Sequence, residues 1–118
     1  MAVDSERNQN VLIGTKPRTQ VEAAYQRLEH KAAAPGLGTP FSLGAVAAYR
    51  WVLGRAAAAP VTGASAGGGV PSSQLLTAEL DAAVVQLGDP TEGPERAAHV
   101  RGVHDVLAWV CGLVDEQP

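Results

Sequence analysis

The apolar positions of the chain are densest between residues 41 and 54, a stretch that carries a single charge, Arg50. The stretch also contains the only Phe, one of the two Tyr and one of the two Trp residues. At about 100° per residue, Val46, Tyr49 and Leu53 form one apolar stripe, and smaller apolar residues extend it around the helix. Because most of its circumference avoids water, this stretch predicts a central helix packed against neighbours on two sides.

Both ends of this central helix are predicted by capping residues. Thr39 can accept hydrogen bonds from free amides at the helix start, and Pro40 suits the first helical position, where its missing N–H would have no partner. Gly54 is a suitable left-handed terminator. A membrane span is the alternative for so apolar a run, but a span requires about 20 apolar residues, and Arg50 and Arg55 interrupt this one. We therefore expect no association with a membrane.

A shorter, amphipathic helix is predicted before the central one. Thr19 and Glu22 have the T-x-x-E spacing of a capping box, in which each side chain bonds an amide near the other. The helix should end near Ala34, because Pro35 and Gly36 disfavour its continuation. Its apolar face consists of Val21, Ala24, Tyr25, Leu28 and Ala32.

Two more helices are predicted in the second half of the chain. The third begins at Ser72 or Ser73 and runs to Gly88, and the fourth begins at Pro94 or Glu95. The third helix has a stripe of Leu76, Leu80, Ala83, Val84 and Leu87, with Glu79 and Asp81 off it. The fourth has a stripe of Val100, Val103, Leu107, Val110 and Val114, widened by Val106 and Leu113. This regular spacing predicts that the fourth helix is the second core helix.

These elements predict an all-α fold, a small four-helix bundle of two antiparallel helical hairpins. The hairpins span residues 15–58 and 73–116, because short connections favour antiparallel neighbours. A flexible Gly/Ala/Ser-rich linker over 59–72 joins them. Residues 1–14 are expected to form a disordered N-terminal arm, in which the short apolar group 11–13 either docks on the fold or simply precedes it.

A weak internal repeat relates the two core helices. Residues 44–54 and 102–112 align without gaps and share a first Gly, a Trp-Val pair and a final Gly. Trp51 and Trp109 both project away from the main stripes of their helices. Two exposed indoles would form an unusual apolar patch on a monomer, so a subunit interface or ligand surface is expected there. The alternative is that a neighbouring helix or the N-terminal arm covers both.

Composition limits the size of the core. A chain of 118 residues, of which 46% are hydrophobic and only 4% aromatic, fits one helical domain over residues 15–118 with an alanine-rich, thin core. Association would supplement such a core. A single Cys excludes an intramolecular disulfide and suits a reducing compartment, and the N-terminus lacks the apolar segment of a signal peptide. We therefore expect a cytoplasmic protein.

The charge is distributed unevenly along the chain. Residues 1–50 carry a formal charge of +2 and residues 51–118 carry −5, within a net charge of −3. Binding to nucleic acid favours a clustered basic face, whereas Glu22 and Glu29 interrupt the basic residues of the first helix. The glycine run 67–69 lacks the Lys and Ser/Thr of a phosphate-binding loop. These patterns argue against nucleic acid and nucleotide partners.

Few side chains are candidates for chemistry. His104, Cys111 and Asp115 lie close together at one edge of the fourth helix, where a thiol beside an imidazole could act in covalent catalysis or as part of a metal site. The ordinary alternative is a small buried Cys and a His at the boundary of core and solvent. Arg50 is the other candidate, since a cation on an apolar helix needs a carboxylate or an anionic ligand. Its candidate carboxylates are Glu79, Asp81 and Asp105.

The features that need explanation are surfaces rather than reactive groups. The sequence therefore predicts a small non-enzymatic interaction or adaptor module that self-associates as a homodimer through the helix faces carrying Trp51 and Trp109. The alternative is a small-molecule-binding protein or enzyme with a pocket between helices two and four, lined by Arg50, His104 and Cys111. A nucleic-acid binder using the basic first helix is a third interpretation. No catalytic residue, cofactor or metal site is predicted.

Overall fold

The computed structural model describes residues 12–34, 38–65 and 69–118 and is predominantly helical. Its elements are β1 (Leu12–Ile13), β2 (Lys16–Pro17), α1 (Arg18–Ala33), α2 (Pro40–Val52), α3 (Ser73–Leu87) and α4 (Pro94–Val110). The described residues contain the four predicted helices and, in addition, one small pair of strands. Among the described residues, no helix combines the length and apolarity needed to cross a membrane.

Helix α2 begins with the predicted cap. The Thr39 hydroxyl accepts a hydrogen bond from the backbone N–H of Ser42 at 3.1 Å. In return, the backbone N–H of Thr39 donates to the Ser42 hydroxyl at 2.8 Å, which completes a capping box. Pro40 occupies the first turn as predicted. Local sequence therefore sets this helix start without help from tertiary contacts.

Helix α1 begins differently from the prediction. Its N-cap is Pro17, which makes no side-chain capping bond, and Thr19 already lies inside the first turn. The predicted capping box of Thr19 and Glu22 is therefore wrong. The chain enters the helix directly from strand β2, which moves the start toward the N-terminus. Glu22 is instead paired with Arg55, whose Nη2 lies 2.7 Å from its Oε2.

A short β-hairpin precedes α1 and docks on the end of α4. Leu12–Ile13 pairs antiparallel with Lys16–Pro17, and the Ile13 side chain is buried in the core. The backbone N–H and the hydroxyl of Thr15 both donate to the carbonyl oxygen of Val110, at 2.8 and 3.0 Å. The predicted disorder of the N-terminal arm is wrong for residues 12–14, which adopt the docked alternative. Residues 1–11 of that arm lie outside the described part of the chain.

The core is built around helices α2 and α4, which pack directly on each other, with α1 on the outside of α2 and α3 on the outside of α4. The closest approach occurs at Gly44 and Gly102. A methyl group at Gly44 would collide with the carbonyl oxygen of His99, and one at Gly102 would collide with that of Phe41. Only hydrogen fits at these two positions, because each helix backbone lies against the other.

Both core helices end in the same way. Gly54 and Gly112 have φ angles of 76° and 77°, the left-handed conformation that glycine adopts without strain. In each case the glycine N–H and the following N–H bond carbonyls of the last turn, as in a Schellman motif. Gly54 is thus confirmed as a terminator. Helix α4 likewise ends at Val110, just before Gly112. Its predicted extension to Val114 is therefore wrong, and Leu113 and Val114 are exposed.

Helix α3 is rotated relative to its predicted orientation. Leu76, Leu80 and Ala83 are buried as expected, but Val84 is exposed and Glu79 is only 1% exposed. The Glu79 carboxylate accepts hydrogen bonds from the backbone N–H groups of Val61 and Thr62. The placement of Glu79 off the buried stripe is therefore wrong, because a carboxylate satisfied by backbone donors can be buried.

The segment predicted as a flexible linker, 59–72, includes a hydrogen-bonded turn. Ala59 N–H donates to the carbonyl of Ala64 at 2.9 Å, and Gly63 N–H donates to that of Ala59 at 2.9 Å. Ala59 is buried in the core. Residues 59–65 are thus folded against α3 through Glu79, whereas 66–68 lie outside the described residues.

We predict that Gly44→Ala and Gly102→Ala each lower the free energy of unfolding by about 1–3 kcal/mol, the usual result of overpacking. The loss arises because the added methyl group forces the two backbones apart. Chemical denaturation measures the change. Gly88→Ala is the matched control, since its added methyl group makes only ordinary contacts. Unchanged or increased stability of the first two variants would contradict the close approach.

We also predict that Glu79→Gln lowers the free energy of unfolding by about 1–3 kcal/mol, because its amide NH₂ would face a backbone donor. Asp81→Asn on the same helix is the control, since Asp81 is exposed. Thermal and denaturant unfolding should separate the two variants. Equal effects would mean that the bonds to residues 61 and 62 contribute little.

Candidate functional site

The two Trp side chains are buried within one chain, with 1% of Trp51 and 2% of Trp109 exposed. The expectation that both indoles project outward is therefore wrong. Trp109 lies edge-on to Tyr49, with ring centroids 6.4 Å apart, and Lys16 Nζ lies 5.4 Å from its ring. The N-terminal β-hairpin thus helps to cover it, as the alternative interpretation stated. Neither Trp is available as an interface residue in this conformation, and the homodimer stays a prediction.

Arg50 has partners on α1 rather than in the acidic second half. Its Nε donates to the Tyr25 hydroxyl at 3.1 Å, and its Nη2 lies 3.4 Å from Glu29 Oε1. The hydrogen bond to Tyr25 is the main cause that raises the pKa of Arg50. The expected pairing with Glu79, Asp81 or Asp105 is wrong, because Arg50 lies on the side of α2 that faces α1. Its charge is already matched by a carboxylate.

His104 and Cys111 lie in separate surroundings. His104 Nδ1 is 2.9 Å from Asp105 Oδ1, whereas Cys111 borders a cleft of about 180 Å³ beside Thr15 and Ser73. Burial raises the pKa of the Cys111 thiol, which is opposite to the shift that activates a nucleophile. Arg50, His104 and Cys111 share no hydrogen bond. In the three described ranges, no group of His, Cys, Asp and Glu side chains could hold a metal ion.

A concave surface lies where the C-terminal residues pass beside the start of α2. We call this surface the tail groove; its volume is about 620 Å³. It is lined by Phe41, Asp105, Val114, Asp115, Glu116, Gln117 and Pro118. Phe41 and Val114 supply an apolar surface, and three carboxylates surround it. The Schellman motif at Gly112 turns the chain out of α4 and so places residues 113–118 there.

The tail groove has a strongly negative character. Its lining includes three carboxylates and no Lys or Arg side chain. The Nδ1 atom of His104 lies 2.9 Å from Oδ1 of Asp105. A groove lined by one sign of charge concentrates ligands of the opposite sign. The geometry therefore favours a cationic ligand with an apolar portion that contacts Phe41 and Val114.

The internal repeat aligns these three carboxylates with alanine. The ungapped alignment of Gly44 with Gly102 continues to Pro60 and Pro118. In it, Asp105, Asp115 and Glu116 correspond to Ala47, Ala57 and Ala58. The acidic character of this region is therefore specific to the second half of the chain.

The apolar spacing places Val114 on the buried stripe of the fourth helix, and so it does not predict the tail groove. The internal repeat is the sequence feature from which the tail groove could be predicted. If Gly112 ends α4 as Gly54 ends α2, then Val114 and the two acidic residues after it leave the helix. The sequence thus contained the site, but only through comparison of its two halves.

The chain matches no protein-family profile, no curated protein and no solved structure. The geometry of the tail groove is therefore the support for a candidate function.

We predict that the Cys111 thiol reacts more slowly with a disulfide reagent in the folded protein than in the unfolded chain. Its raised pKa leaves less reactive thiolate near neutral pH, and the labelling rate should keep rising above the ordinary titration range of a free thiol, about pH 8.5. Spectrophotometric labelling between pH 7 and 10, with and without guanidinium, measures this. Faster labelling of the folded protein would instead indicate an activated thiol.

Proposed function

We propose that the protein is a small non-enzymatic interaction module whose tail groove binds a basic segment of a partner protein. The observation that carries this proposal is the combination of an apolar surface with three carboxylates, Asp105, Asp115 and Glu116, at positions where the first half of the chain has alanine. A Lys- or Arg-rich segment with one apolar side chain complements both parts. The groove volume of about 620 Å³ suits a few side chains.

The scaffold proposed for this module is a bundle of two antiparallel hairpins. Arg50 pairs with Glu29, and Arg55, just after the end of α2, pairs with Glu22, which is earlier on α1. This reversed order supports an antiparallel α1 and α2. Helices α3 and α4 also pack on each other and are joined by the short connection 88–93. A single unpaired Cys suits a reducing compartment such as the cytoplasm.

The direct contact of α2 with α4 argues against the alternative function. A pocket between these helices needs space at their crossing, but Gly44 and Gly102 bring the two backbones together there. Arg50 is also occupied by Tyr25 and Glu29. A binding surface formed by the exposed C-terminal residues requires no such space, so an interaction module is the better proposal.

We predict that a short amidated peptide of Lys and Arg around one Leu binds the tail groove and shifts the backbone NMR signals of Val114, Asp115 and Glu116. Affinity should fall as salt rises, because the rim of the groove is charged and exposed. Asp115→Lys combined with Glu116→Lys should weaken binding tenfold or more, about 1.4 kcal/mol.

The matched control changes the same net charge elsewhere, by Asp81→Lys combined with Glu95→Lys. Both residues are exposed, and neither lines the groove. This variant should keep nearly full affinity. Equal losses in the two variants would mean that the peptide responds only to net charge, and an absence of shifts at the groove would refute the proposed function.

A further inference from the structure

The contact between α2 and α4 is reciprocal. Gly44 packs against the backbone of His99, and Gly102 packs against the backbone of Phe41. In the repeat that aligns Gly44 with Gly102, Phe41 aligns with His99. Exchanging the two aligned halves therefore converts the contact of Gly44 with His99 into the contact of Gly102 with Phe41. This is the pattern of an isologous interface, in which two identical surfaces meet about a two-fold axis.

A second pair of contacts has a similar arrangement. The Thr15 side chain, just before α1, lies against Gly112 at the end of α4. Gly69 and Val70, just before α3, lie against Gly54 at the end of α2. These residues do not correspond one to one in the repeat, since Thr15 aligns with Ser73. The segment that precedes each outer helix nevertheless contacts the terminal glycine of the other helix pair.

We infer that the chain is a duplicated helix pair, in which α1 and α2 pack on α3 and α4 as one subunit of a dimer packs on the other. Two copies of the chain can therefore form a dimer by exchanging these helix pairs. In the exchanged form, α2 of one copy packs on α4 of the other through the same glycine contacts. Exchange of an identical element forms a dimer with no new interface, because every native contact is reused.

The connection between the helix pairs determines the protein concentration at which exchange occurs. Val61 and Thr62 donate to Glu79 of α3 and so belong with the second helix pair, and we expect the chain to open before them, at the exposed residues Arg55 and Ala57. Two surfaces joined by a flexible connection have an effective concentration of up to about millimolar. The closed monomer therefore dominates at micromolar concentration, and exchange requires either millimolar protein or a block to closure.

The test uses two full-length variants that each block closure, Gly44→Glu and Gly102→Glu. Each variant alone should lose cooperative thermal unfolding, because its own α2 and α4 collide. When the two are refolded together at micromolar concentration, α2 of the second variant and α4 of the first are both unaltered, so one of the two exchanged crossings can form while the other carries both Glu residues. We expect a heterodimer with cooperative unfolding, measured by light scattering and circular dichroism.

Gly88→Glu is the control, because Gly88 is exposed and makes no close contact, and it should remain monomeric in every mixture. The wild-type chain refolded at about 1 mM should contain at least several times more dimer than when refolded at about 10 μM. If the blocked variants show no recovery on mixing, the inference is overturned. Dimer in concentrated wild type without that recovery would also overturn it, since another surface would be responsible.

This inference is independent of the proposed function. The substitutions Asp115→Lys and Glu116→Lys, added to the Gly44→Glu chain and to the Gly102→Glu chain, should still allow recovery on mixing, because neither residue 115 nor residue 116 contacts the helix crossing. Loss of peptide binding with retained exchange of helix pairs would show that the two surfaces act independently. Loss of exchange in that background would count against the independence of the two surfaces and against the inference itself.

Discussion

The close approach of α2 and α4 at Gly44 and Gly102 is the constraint on which the rest of the structure depends. With hydrogen in place of a side chain at the crossing, the helix backbones lie in contact, and small residues such as Ala45 and Ala48 become fully buried. An alanine-rich helix buries little area per residue, but it allows many short-range contacts when its neighbour is close. The composition that predicts a thin core is therefore the composition that this packing requires.

The outer helices complete the core by different means. Helix α1 is tied to the end of α2 by the side chains of Arg50 and Arg55, which pair with its two glutamates at the surface. Exposed ion pairs of this kind add little stability, typically below about 1 kcal/mol each. Helix α3 instead buries Glu79 against backbone donors of the preceding turn. The stronger of the two constraints is therefore the one on α3, through Glu79.

Features set by local chemistry could be predicted from the sequence, and features set by tertiary contacts could not. The start of α2 at Thr39 and its end at Gly54 depend on neighbouring residues alone, so capping rules located both. The direction of Trp109 depends on the N-terminal β-hairpin, and the burial of Glu79 depends on a turn in the connecting segment. Helical periodicity predicts neither of these contacts. The end of α4 could be predicted from the repeat, since Gly112 occupies the same position in it as Gly54.

The two bonds from Thr15 to the carbonyl of Val110 join opposite ends of the described chain. Deleting the chain through Thr15 would therefore leave the Val110 carbonyl without these two donors and would also remove the buried Ile13 side chain from the core. The C-terminal end of α4 thus depends on a residue 95 positions earlier in the sequence.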